Sequence, residues 1–113
     1  MRVIHHSKTE DGRRFTVVGV YNPEVDLDQV NFGVAICGPH DCFARKTGRS
    51  IAEGRANKNP TITKKVSYEI PESKDGFKKL SEMGYEIVET VQTDPYMFQE
   101  LLTEQYKEHK KTR

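Results

Sequence analysis

The sequence predicts an α+β fold: an antiparallel sheet of about five strands packed with a central basic helix and a C-terminal amphipathic helix. Three observations carry this expectation. Short β-rich segments are separated by turn signals in the first third of the chain; a glycine-punctuated, Arg-rich segment follows; and an apolar stripe at helical spacing lies after Asp94-Pro95.

The elements follow in order. Arg2 to Ser7 and the β-branched, aromatic run Arg13 to Tyr21 flank Glu10-Asp11-Gly12, which reads as a β-hairpin. Asn22-Pro23 ends the second strand, and Glu24 to Gln29 forms an acidic loop. Val30, Phe32, Val34 and Ile36 alternate with smaller or polar residues, so Val30 to Cys37 is a third strand with one buried face. Gly38-Pro39-His40-Asp41 closes it. Asp41 is placed to cap a helix from about Cys42 to Asn57, which Asn59-Pro60 stops, because proline disfavours the α conformation in the residue before it.

Thr61 to Ile70, with Ile62, Val66 and Tyr68 among polar residues, returns to strand and ends at Pro71. Phe77 and Leu80, followed by Gly84 as a left-handed cap, predict a short helix over Lys74 to Met83. Tyr85 to Val91 reads as a fifth strand. Asp94 caps the last helix, whose stripe is Phe98, Leu101, Leu102 and Tyr106, and Lys107 to Arg113 is a charged, fraying tail.

A chain of 113 residues predicts one domain, 1–113, with a thin core, given 35% hydrophobic and 31% charged residues. The amino terminus lacks the apolar segment of a signal peptide and no run is long enough to span a bilayer; two cysteines make no disulfide framework. These features point to a reducing cytosol and no membrane partner.

The net charge of +1 excludes a uniformly basic nucleic-acid coat, but the charges are unevenly placed. Between Pro23 and Cys42 stand Glu24, Asp26, Asp28 and Asp41 with no Lys or Arg; from Phe43 to Val66, Arg45, Lys46, Arg49, Arg55, Lys58, Lys64 and Lys65 oppose Glu53 alone. On a helical lattice Ala44, Gly48, Ala52 and Ala56 form a row with almost no side-chain volume, which lets the helix approach a sheet, another helix or a flat ligand closely. Beside it run Arg45, Arg49, Glu53 and Asn57, and next Lys46, Ser50, Gly54 and Lys58. Guanidinium groups bind phosphates through paired hydrogen bonds, so Arg45, Arg49 and Arg55, helped by Lys46, suit a ligand with several phosphate oxygens. Phe43 is placed to stack on a base. The competing reading packs the small row on the sheet and leaves the cations solvated, with Arg49 paired to Glu53.

Phe43-Ala-Arg-Lys-Thr-Gly-Arg-Ser-Ile-Ala-Glu-Gly-Arg-Ala56 resembles a pattern of small bacteriophage proteins, Phe-x-[Arg/Lys]-Lys-x-Gly-Arg-x-Ile-Ala-x-Gly-Arg-Ala. Within that set the chain is similar to the Thoeris anti-defence sponge proteins in size, in strands preceding such a helix, and in a strand-and-helix carboxyl half. The resemblance implies a homo-oligomer in the host cytoplasm that binds and sequesters a cyclic nucleotide immune signal, of cyclic ADP-ribose type or in some members a cyclic oligonucleotide, without cleaving it. Phe43, Arg45, Lys46, Gly48, Arg49 and Arg55 match the pattern; with Asn57, which continues the Arg45 row, they form the expected ligand-binding set. No catalytic residue, cofactor or metal is expected.

Cys37, His40 and Cys42 lie close in sequence but lack the second ligand pair of a structural zinc site, and His5 and His6 point to opposite faces of a strand. No phosphate loop, dinucleotide fingerprint or nucleophile elbow is present. Two further functions stay open: a phage regulator laying the helix on a nucleic-acid backbone, and an inhibitor of a host protein acting through Glu24 to Asp28.

Overall fold

The computed structural model describes the backbone of residues 1–37 and 45–111, and the side chains of all of these except 45 and 106–111. Four strands, β1 (Arg2–Lys8), β2 (Arg14–Val20), β3 (Gln29–Ile36) and β4 (Ile62–Lys65), form one antiparallel sheet in chain order. Among the described residues the helices are α1 (Arg45–Lys58), α2 (Lys74–Thr93) and α3 (Pro95–Lys111). The α+β class and antiparallel sheet agree with expectation; among the described residues the strands number four.

Strand alternation divides the sheet into two faces. Val3, Phe15, Val17, Val30, Phe32, Val34 and Ile36 point toward α2 and α3 and join Leu80, Ile87, Val88 and Val91 in the main core. Val18 and Ala35 point the other way and meet Ala52 of α1, with Ile4 and Val20 at the margin. The predicted hairpin is present, its loop closed by the Thr9 amide donating to the Arg13 carbonyl at 2.8 Å and by Gly12 at φ 86°, a conformation that favours glycine.

The expected fifth strand, Tyr85 to Val91, is instead part of α2. Gly76, Leu80, Gly84, Ile87, Val88 and Val91 are its buried residues, a helical stripe that outweighs the short alternation read there. Gly84 is no cap: it lies inside the helix, where a Cβ would come within 2.9 Å of the His5 ring, so its missing side chain makes room for His5. Ser73 caps the helix by accepting from the Gly76 amide at 3.3 Å. The strand expected over Thr61 to Ile70 shortens to β4, which pairs only with Gln29 to Phe32. Past β4 the chain is tied elsewhere, the buried Tyr21 hydroxyl accepting from the Ile70 amide and donating to the Leu27 carbonyl. Asp94 caps α3 as expected, accepting from the Tyr96 and Met97 amides, and α3 continues into the charged tail as far as Lys111. No helix among the described residues is long and apolar enough to cross a membrane.

Candidate anion-binding site on helix α1

Helix α1 lies over β2 and β3 and seats Ala52 and Ala56 of its small row on the sheet. Ala52 and Ala56 are buried, and a Cβ on Gly33 would stand 1.9 Å from the Ala52 carbonyl oxygen and 2.7 Å from the Ala56 nitrogen. Helix backbone therefore rests directly on strand backbone, an approach that only small residues on both sides permit. Of the three surfaces the row could serve, it serves the protein's own sheet. Gly54 is different: nothing lies within 4 Å of where its Cβ would be.

With the small row facing inward, the flanking residues separate to two sides. Glu53 reaches toward β1 and forms an ion pair with Arg2, not with Arg49 as the competing reading expected. Arg49, one turn earlier, shares that side and is exposed, as are Lys46 and Asn57. Gly48 is half-buried, and Arg45 opens the described helix. Phe43, Asp41, His40 and Cys42 lie outside the described residues, and with them the predicted stacking, cap and most of the Cys-His cluster.

Arg55 faces the opposite way. Beyond the end of β4, the outward backbone groups of β3 meet side chains instead of a strand. The Val34 amide donates to Thr61 Oγ1 at 3.1 Å, and the Val34 carbonyl accepts from Arg55 Nη1 at 2.7 Å. Gln105 of α3 accepts from the Ile36 amide at 2.9 Å, donates to the Ile36 carbonyl at 2.7 Å, and accepts from Arg55 Nη1 at 3.0 Å. Arg55 thus helps seal a sheet edge, lining a pocket of about 190 Å³ with Thr61, Glu104 and Gln105. The structure brings Lys46 and Arg49 to one side of α1 and separates Arg55 from them.

Sequence reasoning missed which of the two histidines shares a face of the sheet with α1. His6 lies on the α1 face of β1, its Nδ1 2.9 Å from the hydroxyl of the buried Thr16, while His5 points to the other face and donates Nε2–H to the Ser81 carbonyl at 3.2 Å. The alternation Arg2, Ile4, His6, Lys8 was available as a signal, but not which face α1 would cover. Among the described residues, no group of three His, Cys, Asp or Glu side chains is placed to hold a metal ion.

No protein-family model, curated protein or solved structure matches this chain.

Proposed function

We propose that the protein binds a compact, phosphate-bearing anion through the side of α1 that carries Lys46 and Arg49, and withholds it without chemical change. The observation that carries this reading is the division of α1: Ala52 and Ala56 are seated on Gly33, while Lys46 and Arg49 stay exposed. Two cations on a fixed scaffold bind an anion without the ordering cost that mobile side chains on a loop would carry. The likeness of Phe43 to Ala56 to the Thoeris anti-defence sponge proteins supplies the specific form: sequestration of a cyclic ADP-ribose-type signal in the cytoplasm of a phage-infected host. A homo-oligomer on this reading uses surfaces other than the small row.

Calorimetry with cyclic ADP-ribose, followed by heat denaturation and chromatography of the released ligand, tests the proposal. Saturable binding with intact ligand recovered supports it; absence of binding to cyclic ADP-ribose and to cyclic dinucleotides overturns it.

A second reading has one observation in its favour. In the acidic loop, Val25 is 82% and Leu27 54% exposed between Glu24, Asp26 and Asp28. Apolar side chains framed by carboxylates on a loop anchored by Tyr21 suit contact with a basic protein surface. A Val25→Ser, Leu27→Ser double variant that loses anti-defence activity while keeping ligand binding would favour this reading.

A further inference from the structure

The two edges of the sheet differ. β4 is four residues long and ends in Lys64 and Lys65, a short, basic edge of the kind that resists further pairing. β1 is seven residues long. Its register against β2 pairs Val3 with Gly19 and His5 with Val17, and the Tyr21 amide donates to the Met1 carbonyl at 2.9 Å. Bonded pairs recur at every second residue, so Met1, Val3 and His5 turn their backbone groups to β2, and Arg2 and Ile4 turn theirs out from the sheet. Among the described residues nothing bonds these outward amides and carbonyls. Further along, the edge is closed: the Lys8 carbonyl accepts from Gln92 Nε2 at 3.0 Å.

Helix α2 runs beside this edge in the same direction as β1. Met1 and Phe77 line one pocket, the Ser81 carbonyl accepts from His5 Nε2 at 3.2 Å, a Cβ on Gly84 would meet His5 and Val3, and Gln92 donates to Ser7 at 2.7 Å. α2 packs under β1 and β2 and α3 under β3, so one side of α2 lies at the open edge. That side carries Phe77, Ser81 and Tyr85, one row four residues apart. Phe77 is 50% and Tyr85 59% exposed, the Tyr85 ring standing edge-on to His5 at 5.9 Å. Beside them the charges divide by sign. Lys74 and Lys78 come before Ser81 and Glu82 and Glu89 after it, all exposed and without an ion-pair partner among the described residues.

We infer that β1 is a self-pairing edge through which two copies of the chain form a symmetric dimer, with α2 packed on α2. Placed at Val3, a two-fold axis sets β1 antiparallel to its mate and lets Arg2 of each copy exchange hydrogen bonds with Ile4 of the other. The same axis passes at Ser81, the level of α2 beside Val3 and His5. Phe77 of each copy then meets Tyr85 of the other, with the small Ser81 at the crossing, and Lys74 and Lys78 come opposite Glu89 and Glu82. The spacing agrees: strands lie about 4.8 Å apart, so helices each centred between β1 and β2 stand about 10 Å from one another, the distance of packed helices. Self-complementarity commits the surface to a second copy, because a row of aromatic, small, aromatic and a charge order of basic then acidic both fit their own inverse. α1 lies on the other face over β2 and β3, so the inference stands apart from the anion-binding reading.

Sedimentation equilibrium of the full chain, with hydrogen exchange read at single amides, tests it. A mass twice the chain's 13.0 kDa is expected, with the Arg2 and Ile4 amides protected. The double variant Phe77→Lys, Tyr85→Lys changes only exposed positions; it should keep a native circular dichroism spectrum, weaken dimerisation about tenfold or more and release those two amides. Lys78→Glu should weaken the dimer and Glu82→Lys in the same chain should restore it, while Tyr96→Lys on α3 is the control. A monomer at every concentration, a dimer no weaker in the α2 double variant than in the control, or protection of Arg2 and Ile4 only when a different protein is added overturns the inference.

Discussion

The side-chain amide of Gln105 exchanges two hydrogen bonds with the backbone of Ile36, occupying the position a neighbouring strand would take. Helix α3 is thereby fastened to the sheet at the edge that β4 leaves uncovered. Gln105→Ala leaves the Ile36 amide and carbonyl without these partners and removes one from Arg55, so destabilisation of about 2 kcal/mol is expected in urea unfolding. A change within about 0.5 kcal/mol would mean that water replaces the amide at no cost.

The contact between Gly33 and α1 predicts opposite outcomes for two glycine-to-alanine changes. Gly33→Ala drives a methyl into the Ala52 carbonyl, a backbone atom that cannot turn aside, so α1 must lift; a cost of about 3 kcal/mol and faster amide exchange throughout α1 are expected. Gly54→Ala meets open space in the same helix and gains helix propensity, so it stabilises by about 1 kcal/mol. Weakened ligand binding in the Gly54 variant would show that this glycine keeps the outer face clear for close approach.

In the β1–β2 loop, the Thr9 hydroxyl bonded to Asp11 is the chief cause holding that carboxyl below its ordinary value, opposed by desolvation and helped by backbone amides and Arg13. A depressed pKa contributes stability that is present above the unfolded carboxylate value and is lost as pH falls through the folded one. Thr9→Val moves the Asp11 titration back up, which carbon-detected NMR reads directly; an unmoved midpoint would assign the shift to the loop backbone instead.

Asp26 and Asp28 share a hydrogen bond on the acidic loop. It is the first cause of both shifts, lowering Asp26 and raising Asp28, while Lys65 favours the ionised form of each. Asp26→Asn removes the like charge, so Asp28 titrates at lower pH in the variant. Because the two shifts are opposite in sign, their contributions to the pH dependence of stability oppose one another.

The strands β1 to β3 and the helix starting at Asp94 were legible because alternation, turn residues and caps are local properties of the chain. The missed part of α2 was not: Gly84 reads as a terminator until the His5 ring, brought in from β1, explains why a helix interior needs no side chain there. For the candidate site, the sequence identified α1, its small row and its cations. It could not assign sides. Arg49 and Arg55 look equivalent in a row of charges, and only the packing of α1 on Gly33 sends one toward β1 and the other to the Val34 carbonyl. His6, beside Thr16 on the face of the sheet that α1 covers, lies far from α1 in sequence, and strand register alone places it there.

Nucleic-acid binding by the same helix separates from small-ligand binding by salt. Duplex affinity carried by several phosphate contacts falls by orders of magnitude between about 50 and 200 mM salt, whereas a compact ligand held by two to four cations loses much less. Tight, salt-tolerant binding of cyclic ADP-ribose with negligible duplex affinity at 200 mM is expected.

The most direct measurement compares calorimetric binding of cyclic ADP-ribose by the native chain, Arg49→Glu and Arg55→Ala, each with its thermal unfolding curve. Arg49→Glu should abolish binding and leave the melting temperature unchanged, while Arg55→Ala should lower the melting temperature through the loss of its bonds to Val34 and Gln105. Undiminished binding by Arg49→Glu, or no binding by the native chain, would contradict a ligand site on the β1 side of α1.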